Sequence, residues 1–325
     1  MKFRLMLLAF FCIVVSVSNA QNLSIENGTL KFSSLAIYEQ YAENILNEND
    51  IIQATSAIAT LANQSSTTGP EDSDDIEPVD SLYPDFLRLI LNTDKIVTLG
   101  NYLVKIDLEN HQGLAIKANT PGAYNTLVSN NTTADGVMVF LDEDEDTDAI
   151  DILESIDAGT LTISNYNSGS AERRCRRANR HKDATFQYWM QFPDSRCPGR
   201  DYCYKGEDKL VYQKAIFYFS LESKRKSQKE CCFDSRVTRN PKRHFVNLKI
   251  EGIAKFRKRC GDEQNITYND EVFNDHKITW RPYSNSRGLS HYEMSVKFYC
   301  QELYDRTPTP PPYIPSRWYH IVDGY

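Results

Sequence analysis

The sequence predicts an α+β N-terminal module followed by an all-β, antiparallel, sandwich-like domain braced by disulfides. Three observations carry this. Apolar residues recur at helical and hairpin spacing up to about residue 170 and at period two after it. Every cysteine past the first 20 residues falls after residue 170. Charge divides at the same place: residues 21–170 hold 25 acidic and 5 basic side chains, net −20, whereas residues 171–325 hold 19 acidic and 30 basic, net +11.

Residues 1–20 read as a cleavable export signal. Lys2 and Arg4 form the positive start, Leu5 to Val17 the apolar core, and Ser18-Asn19-Ala20 the small-residue cleavage site before Gln21. The apolar run is shorter than the roughly 18 to 20 residues of a spanning helix, and no later run reaches that length, so no membrane span is expected. The expected location is secreted or at the cell surface.

Within the acidic module, 21–170, apolar residues from Leu35 to Leu61 at three- and four-residue steps predict one or two amphipathic helices. Residues 62–81 are Ser, Thr, Gly, Pro and acid, the composition of a disordered linker. Tyr83 to Leu91 predicts a short helix. Ile96-Val97-Thr98-Leu99 and Tyr102 to Ile106, joined by Gly100-Asn101, predict a hairpin, because glycine accepts the positive φ of a two-residue turn. Leu114 to Ile116 and Val137 to Leu141 are further strands. Asp142 to Asp148 holds six acids in seven residues. Asp142, Asp144 and Asp146 alternate like calcium ligands, but Thr147 replaces the turn glycine and Leu153 the closing Glu, so they are a weak metal candidate and no metal or other cofactor is expected.

The basic domain, 171–305, opens on Arg173-Arg174-Cys175-Arg176-Arg177. Thr185 to Phe192, Tyr212 to Lys224, His244 to Lys258, Lys277 to Arg281 and His291 to Cys300 alternate as strands, with Phe217, Phe219 and Leu221 assigned to one face and Ile216 and Tyr218 to the other. Cys175, Cys197, Cys203, Cys231, Cys232, Cys260 and Cys300 are the disulfide candidates, since clustered cysteines in an exported chain form bridges. Seven is odd, so at most three bridges form within one chain. Residues 306–325 read as a proline-rich, extended tail.

Two stretches carry a resemblance. Leu89 to Ile106, a short helix ending in Leu-Asn with a hairpin after it, and Trp280 to Phe298, with Ser286-Arg287-Gly288-Leu289 before the Tyr292 strand, resemble segments of uncharacterised exported proteins of the Bacteroidota. Val104 stands where that pattern usually has Tyr. The resemblance implies an exported bacterial protein, a domain of unknown function, and carries no activity with it.

The chain lacks the Gly-x-Ser-x-Gly, His-Glu-x-x-His and phosphate-loop patterns, and the expected protein is not an enzyme. Basic runs recur at Arg173 to Lys182, Lys224-Arg225-Lys226, Lys242-Arg243-His244 and Lys255 to Arg259, with aromatics between them. The ligand residues expected from this pattern are Arg173, Arg174, Arg176, Arg177, Arg225, Arg243, Arg257, Trp189 and Trp280, since cations with stacking rings suit polyanions. The expected function is exported, non-catalytic binding of an anionic glycan or cell-surface polymer by the basic domain, and nucleic acid is not an expected partner. The opposed charges also allow the two halves to dock on each other. The alternatives are a secreted hydrolase with its site in the β domain and a precursor cleaved near Arg173 to Arg177.

Overall fold

The computed structural model describes residues 22–45, 48–64, 83–141, 148–167, 178, 182–193, 201–231, 246–259, 261–273, 275, 277–302 and 314–323. Side chains of 182–193, 201–206 and 227–231 lie outside that description. The first half is an α+β region and the second is built of antiparallel sheets.

Strands β1 (Leu23–Glu26) and β2 (Thr29–Phe32) open the chain, followed by helices α1 (Leu35–Glu43), α2 (Glu48–Gln64) and α3 (Asp85–Ile90). Ser34 caps α1 by accepting from the Ile37 amide, which supplies one of the partners the first turn lacks. β3 (Ile96–Leu99), β4 (Tyr102–Asp107) and β5 (Gln112–Lys117) form a meander, and Gly100, at φ 58°, makes the tight turn read from sequence. α4 (Ala123–Val128), β6 (Met138–Leu141), α5 (Ala149–Asp157) and α6 (Ile163–Asn167) complete the half. The sheet runs β1-β2-β3-β4-β5-β6, parallel only between β2 and β3, where the helices α1 to α3 make the crossover. One sheet face packs on α4 through Ile96, Leu114, Ile116 and Leu127. There the buried Lys105 ammonium caps the helix end, donating to Leu127 O at 3.2 Å and Asn130 Oδ1 at 2.7 Å.

The second half forms two four-stranded antiparallel sheets. One is ordered β12 (Lys277–Asn285), β9 (Phe219–Cys231), β8 (Asp201–Lys214), β7 (Lys182–Pro193). The other is ordered β11 (Glu263–Val272), β10 (Val246–Lys258), β13 (Leu289–Glu302), β14 (Ile314–Asp323). Period-two alternation turns Leu248, Ile250, Ala254 and Phe256 inward on β10 and Met294, Val296, Phe298 and Cys300 inward on β13, against Leu210, Phe219, Leu221 and Trp280 of the other sheet. Trp280 reaches across the core, lies over Gly252 and stacks on Tyr268 with ring centroids 4.9 Å apart. Gly252 and Tyr268 are directly paired across β10 and β11, so the glycine makes the slot that the indole fills.

Two expectations are corrected. Tyr212 to Lys224 is a hairpin and not one strand: the chain reverses through Ala215, Ile216, Phe217 and Tyr218, with the Ala215 amide donating to Tyr218 O at 2.8 Å. Residues 215–219 are apolar without interruption because the tip leaves the sandwich and enters the core of the first half, which gives a short apolar run the look of a buried strand. The end of the chain is likewise not just an extended tail, since Ile314–Asp323 pairs as an edge strand along β13. Tyr319 and Ile321 point inward from it.

A Cβ added at Gly252 would sit 2.3 Å from Trp280 Cζ3. Gly252→Ala is therefore expected to displace the indole and cost on the order of 2 kcal/mol or more, read by chemical denaturation together with a shifted tryptophan emission. An unchanged denaturation midpoint would remove this slot from the account.

Candidate anion-binding site

The β8–β9 tip brings the halves together. Ile216 and Phe217 lie over Gly113 of β5, where an added Cβ would come within 3.0 Å of both side chains. Phe217 packs edge-on to Phe140 at 5.2 Å, Tyr218 meets Phe86 at 4.9 Å, and Tyr38 donates its hydroxyl to Phe217 O at 2.7 Å. Ile216 holds φ 63°, a left-handed conformation that costs a β-branched residue about 1 to 2 kcal/mol. Burial of its side chain returns about 2 to 3 kcal/mol, so packing outweighs strain.

Around this tip, polar groups of the two halves meet along β12 and the turn after it. At one end the loop residue Arg287 bonds Glu39 of α1 and both Asp151 and Glu154 of α5, the latter two at 2.8 Å. Buried Asp148 accepts from the Gly288 amide at 3.2 Å and faces Arg259 at 3.5 Å, while Glu43 faces Lys258 at 3.6 Å. Five carboxylates (Glu39, Glu43, Asp148, Asp151, Glu154) thus meet three cations (Lys258, Arg259, Arg287). Burial raises the Glu39 carboxyl above its ordinary range despite the Ser286 hydrogen bond and Arg287.

The other end has the opposite polarity. Asp85 opens α3 and one of its oxygens receives Lys224 Nζ at 3.0 Å, Arg281 Nη2 at 3.0 Å and Lys277 Nζ at 3.8 Å, while Arg88 bonds the other. Arg281 is 2% exposed and also holds Glu222 at 2.6 Å through Nε. Burial alone would raise the Asp85 carboxyl, but Lys224, Lys277, Arg281 and Arg88 hold it well below the usual carboxylate range. Strand alternation adds Lys209 and Lys226 to the same sheet face. Lys209 stands directly opposite Lys224, Lys226 opposite Lys277, and Glu207 opposite Lys226. Among the described residues, Asp85 and Glu222 thus pair with Arg88, Lys224, Lys277 and Arg281, and Lys209, Lys226 and Glu207 share the same sheet face. Like charges directly opposite on a sheet are destabilising, and two such pairs share this face. Burial, with Lys224 and Lys277 beside it, lowers Lys226 to about 8.

The residues expected from sequence divide sharply. Arg225 is 3% exposed, turned into the sandwich core against Asp208 at 3.1 Å and over the Phe298 ring, and Trp280 is 3% exposed. Both therefore serve the core, and the surface face of β9 belongs to their neighbours Lys224 and Lys226. Arg257 is exposed on the outside of the other sheet and faces Glu263 at 3.7 Å. Arg173, Arg174, Arg176, Arg177, Arg243 and the Trp189 side chain lie outside the described residues, as do Asp142, Asp144 and Asp146. Of the disulfide candidates, Cys300 is buried in the sandwich core; Cys203 and Cys231 lie on β8 and β9 with side chains not described, and Cys175, Cys197, Cys232 and Cys260 fall outside. Among the described residues, no group of three His, Cys, Asp or Glu side chains is arranged to hold a metal. No described helix is long and apolar enough to cross a membrane. Period two places Lys224 and Lys226 on one face and Arg225 on the other, which is legible in sequence; that Asp85, Arg88, Lys277 and Arg281 join them is set by tertiary packing.

No protein family, curated protein or solved structure matches this chain.

Asp208 and Asp85 respond to pH in opposite directions. Burial lifts Asp208 to about 6, against the pull of Arg225 and a Tyr319 hydrogen bond. Its folded value lies above the unfolded one, so its contribution to stability grows as pH falls through about 6. Asp85 is depressed, so its contribution is present above the ordinary carboxylate range and is lost as pH falls below about 4. Denaturation of Asp208→Asn between about pH 7 and pH 5 is expected to show a flatter stability profile than wild type. Asp85→Asn is expected to lose on the order of 3 kcal/mol at neutral pH, because it leaves several buried cations short of a counter-charge. A wild-type stability that falls over this window, matched by Asp208→Asn, would contradict the assignment.

Proposed function

We propose that this chain is an exported, non-catalytic binding protein whose basic β half engages an anionic ligand, with an acidic polysaccharide or other cell-surface polymer as the class. The observation that carries this reading is the excess of cations on the outer face of β8, β9 and β12, where Lys226 and Lys277 reach the partly exposed margin. A folded chain gains nothing for its own stability by pairing lysine with lysine, and the cost is recovered when an anion is bound.

The opening signal-like sequence supports export, and a polymer outside the cell is the polyanion such a chain would meet. The cluster of seven cysteines in the basic half fits an oxidising compartment, where bridges among Cys175, Cys197, Cys203, Cys231, Cys232 and Cys260 would cross-link the domain; Cys300 is buried in the sandwich core and forms no disulfide there. The ion pairs between the acidic and basic halves act on the same surface, where Asp85 engages Lys224, Lys277 and Arg281 of the cationic face. The resemblance to exported proteins of the Bacteroidota accords with this reading.

The mature chain is expected to be retained on a heparin-type resin at low salt and to elute at progressively lower salt as Lys226 and Lys277 are replaced by Gln, singly and then together. Passage of the wild-type chain through the resin at low salt would contradict the proposal.

A further inference from the structure

We infer that the outer face of β10, β13 and β14 carries a subsite for one acidic sugar residue, its ring stacked on Trp318 and its carboxylate held by Lys297. This rests on the reading of the chain as a binder of an acidic polymer, and it names a contact on the sheet that does not carry the Asp85 cluster. Three observations lead there.

The first is an array of side chains. In register, Trp318 of β14 stands opposite Lys297 of β13, and Lys297 opposite Glu251 of β10; one step along, His320 stands opposite Ser295, and Ser295 opposite Ile253. Their neighbours Tyr319, Ile321, Val296, Met294, Ile250 and Ala254 are buried in the sandwich core, so period two turns the array outward.

The second is that two corners of the array are apolar and open. Trp318 is 53% exposed and Ile253 45%. Among the described residues the Trp318 indole meets no other ring and its N–H finds no acceptor. Strand spacing and rise put the two corners roughly 12 Å apart, the reach of two linked sugar rings. A pyranose presents a C–H face that removes the indole from water, while its hydroxyls turn to Ser295 and His320, whose Oγ and Nδ1 bond each other at 2.8 Å.

The third is the state of the charges beside the indole. Glu251 engages Lys249 at 2.7 Å and accepts from the Tyr299 hydroxyl, and these two partners hold its carboxyl below the ordinary range. Lys297 lies over the Tyr299 ring at 5.3 Å, which keeps its ammonium on the face. Among the described residues no carboxylate lies within ion-pair distance of Lys297. Opposed side chains on a sheet stand about 5 Å apart, so a carboxylate on a sugar stacked on Trp318 meets that ammonium directly. One ammonium suits one carboxylate, and a uronic acid is the sugar that carries one.

The test titrates the full mature chain with oligomers of alginate, polygalacturonate and hyaluronan, three linear polymers that contain uronic acids, and with a cellulose-type oligomer as the neutral control. Tryptophan emission reports the site, because Trp318 is exposed whereas Trp280 is buried. The expected result is a saturable change with at least one acidic oligomer, lost in Trp318→Ala and weakened about tenfold in Lys297→Gln, to the level of the neutral control, while Lys297→Arg retains most of it. These substitutions lie on the outer face, so denaturation midpoints matching wild type check the fold. No saturable response to any of the three, or a response that Trp318→Ala leaves unchanged, would overturn the subsite. So would equal weakening of acidic and neutral oligomers by Lys297→Gln, or self-association of wild type that Trp318→Ala abolishes, which would assign the indole to a second copy of the chain. Retention on the heparin-type resin without a response to the three oligomers leaves the binding function standing and the subsite wrong. Oligomer binding through Trp318 by a chain that passes the resin at low salt leaves the subsite standing and the reading of the β8, β9 and β12 face wrong.

Discussion

Four residues at the end of one hairpin hold this architecture in its present form. Ala215 to Tyr218 belong by sequence to the basic half and by packing to the core of the acidic half, where Phe217 meets Phe140 and Tyr218 meets Phe86. The insertion requires Ile216 to accept a left-handed conformation and β5 to carry a glycine beneath it. Neither feature would persist without the other, since strain at Ile216 is offset only while its side chain is buried. The tip therefore fixes which face of the β8–β9–β12 sheet turns toward α1 and α3.

Electrostatics along that contact are a consequence of this placement. Once α3 lies on the sheet, Asp85 sits among Lys224, Lys277 and Arg281, and Arg281 becomes the largest fully buried side chain among the described residues. At the far end Arg287 finds three carboxylates instead. The contact is thus polar at both ends around an aromatic centre. A surface designed by stability alone would pair these charges evenly, because an unbalanced buried charge is costly.

Much of this was legible from residue order. Alternation on β10 and β13, the Gly100 hairpin, the helix from Leu35 and the short helix after Pro84 all follow from local pattern, and they match the structure because burial on one face enforces the period. The β8–β9 turn was not legible, since Ala215 to Leu221 contains no glycine, proline or asparagine to mark a reversal. β11 was missed for a different reason: it is an edge strand with few inward apolar residues, so Glu263–Val272 reads as polar loop. Trp280 and Arg225 were taken for surface residues by composition, although the first fills a slot over Gly252 and the second neutralises Asp208 inside the sandwich. Which lysines gather around Asp85 depends on contacts between residues more than a hundred positions apart, and no local pattern reports those.

The central claim is that the two halves fold as one unit through the hairpin tip. Native-state hydrogen exchange on wild type and Phe217→Ala tests it most directly, by following amides of β3 to β5 in one half and of β10 and β13 in the other. The account predicts that truncating Phe217 lowers protection in both sets together, by a similar free energy on the order of 3 kcal/mol. Loss of protection confined to β3 to β5, with β10 and β13 exchanging as in wild type, would contradict it.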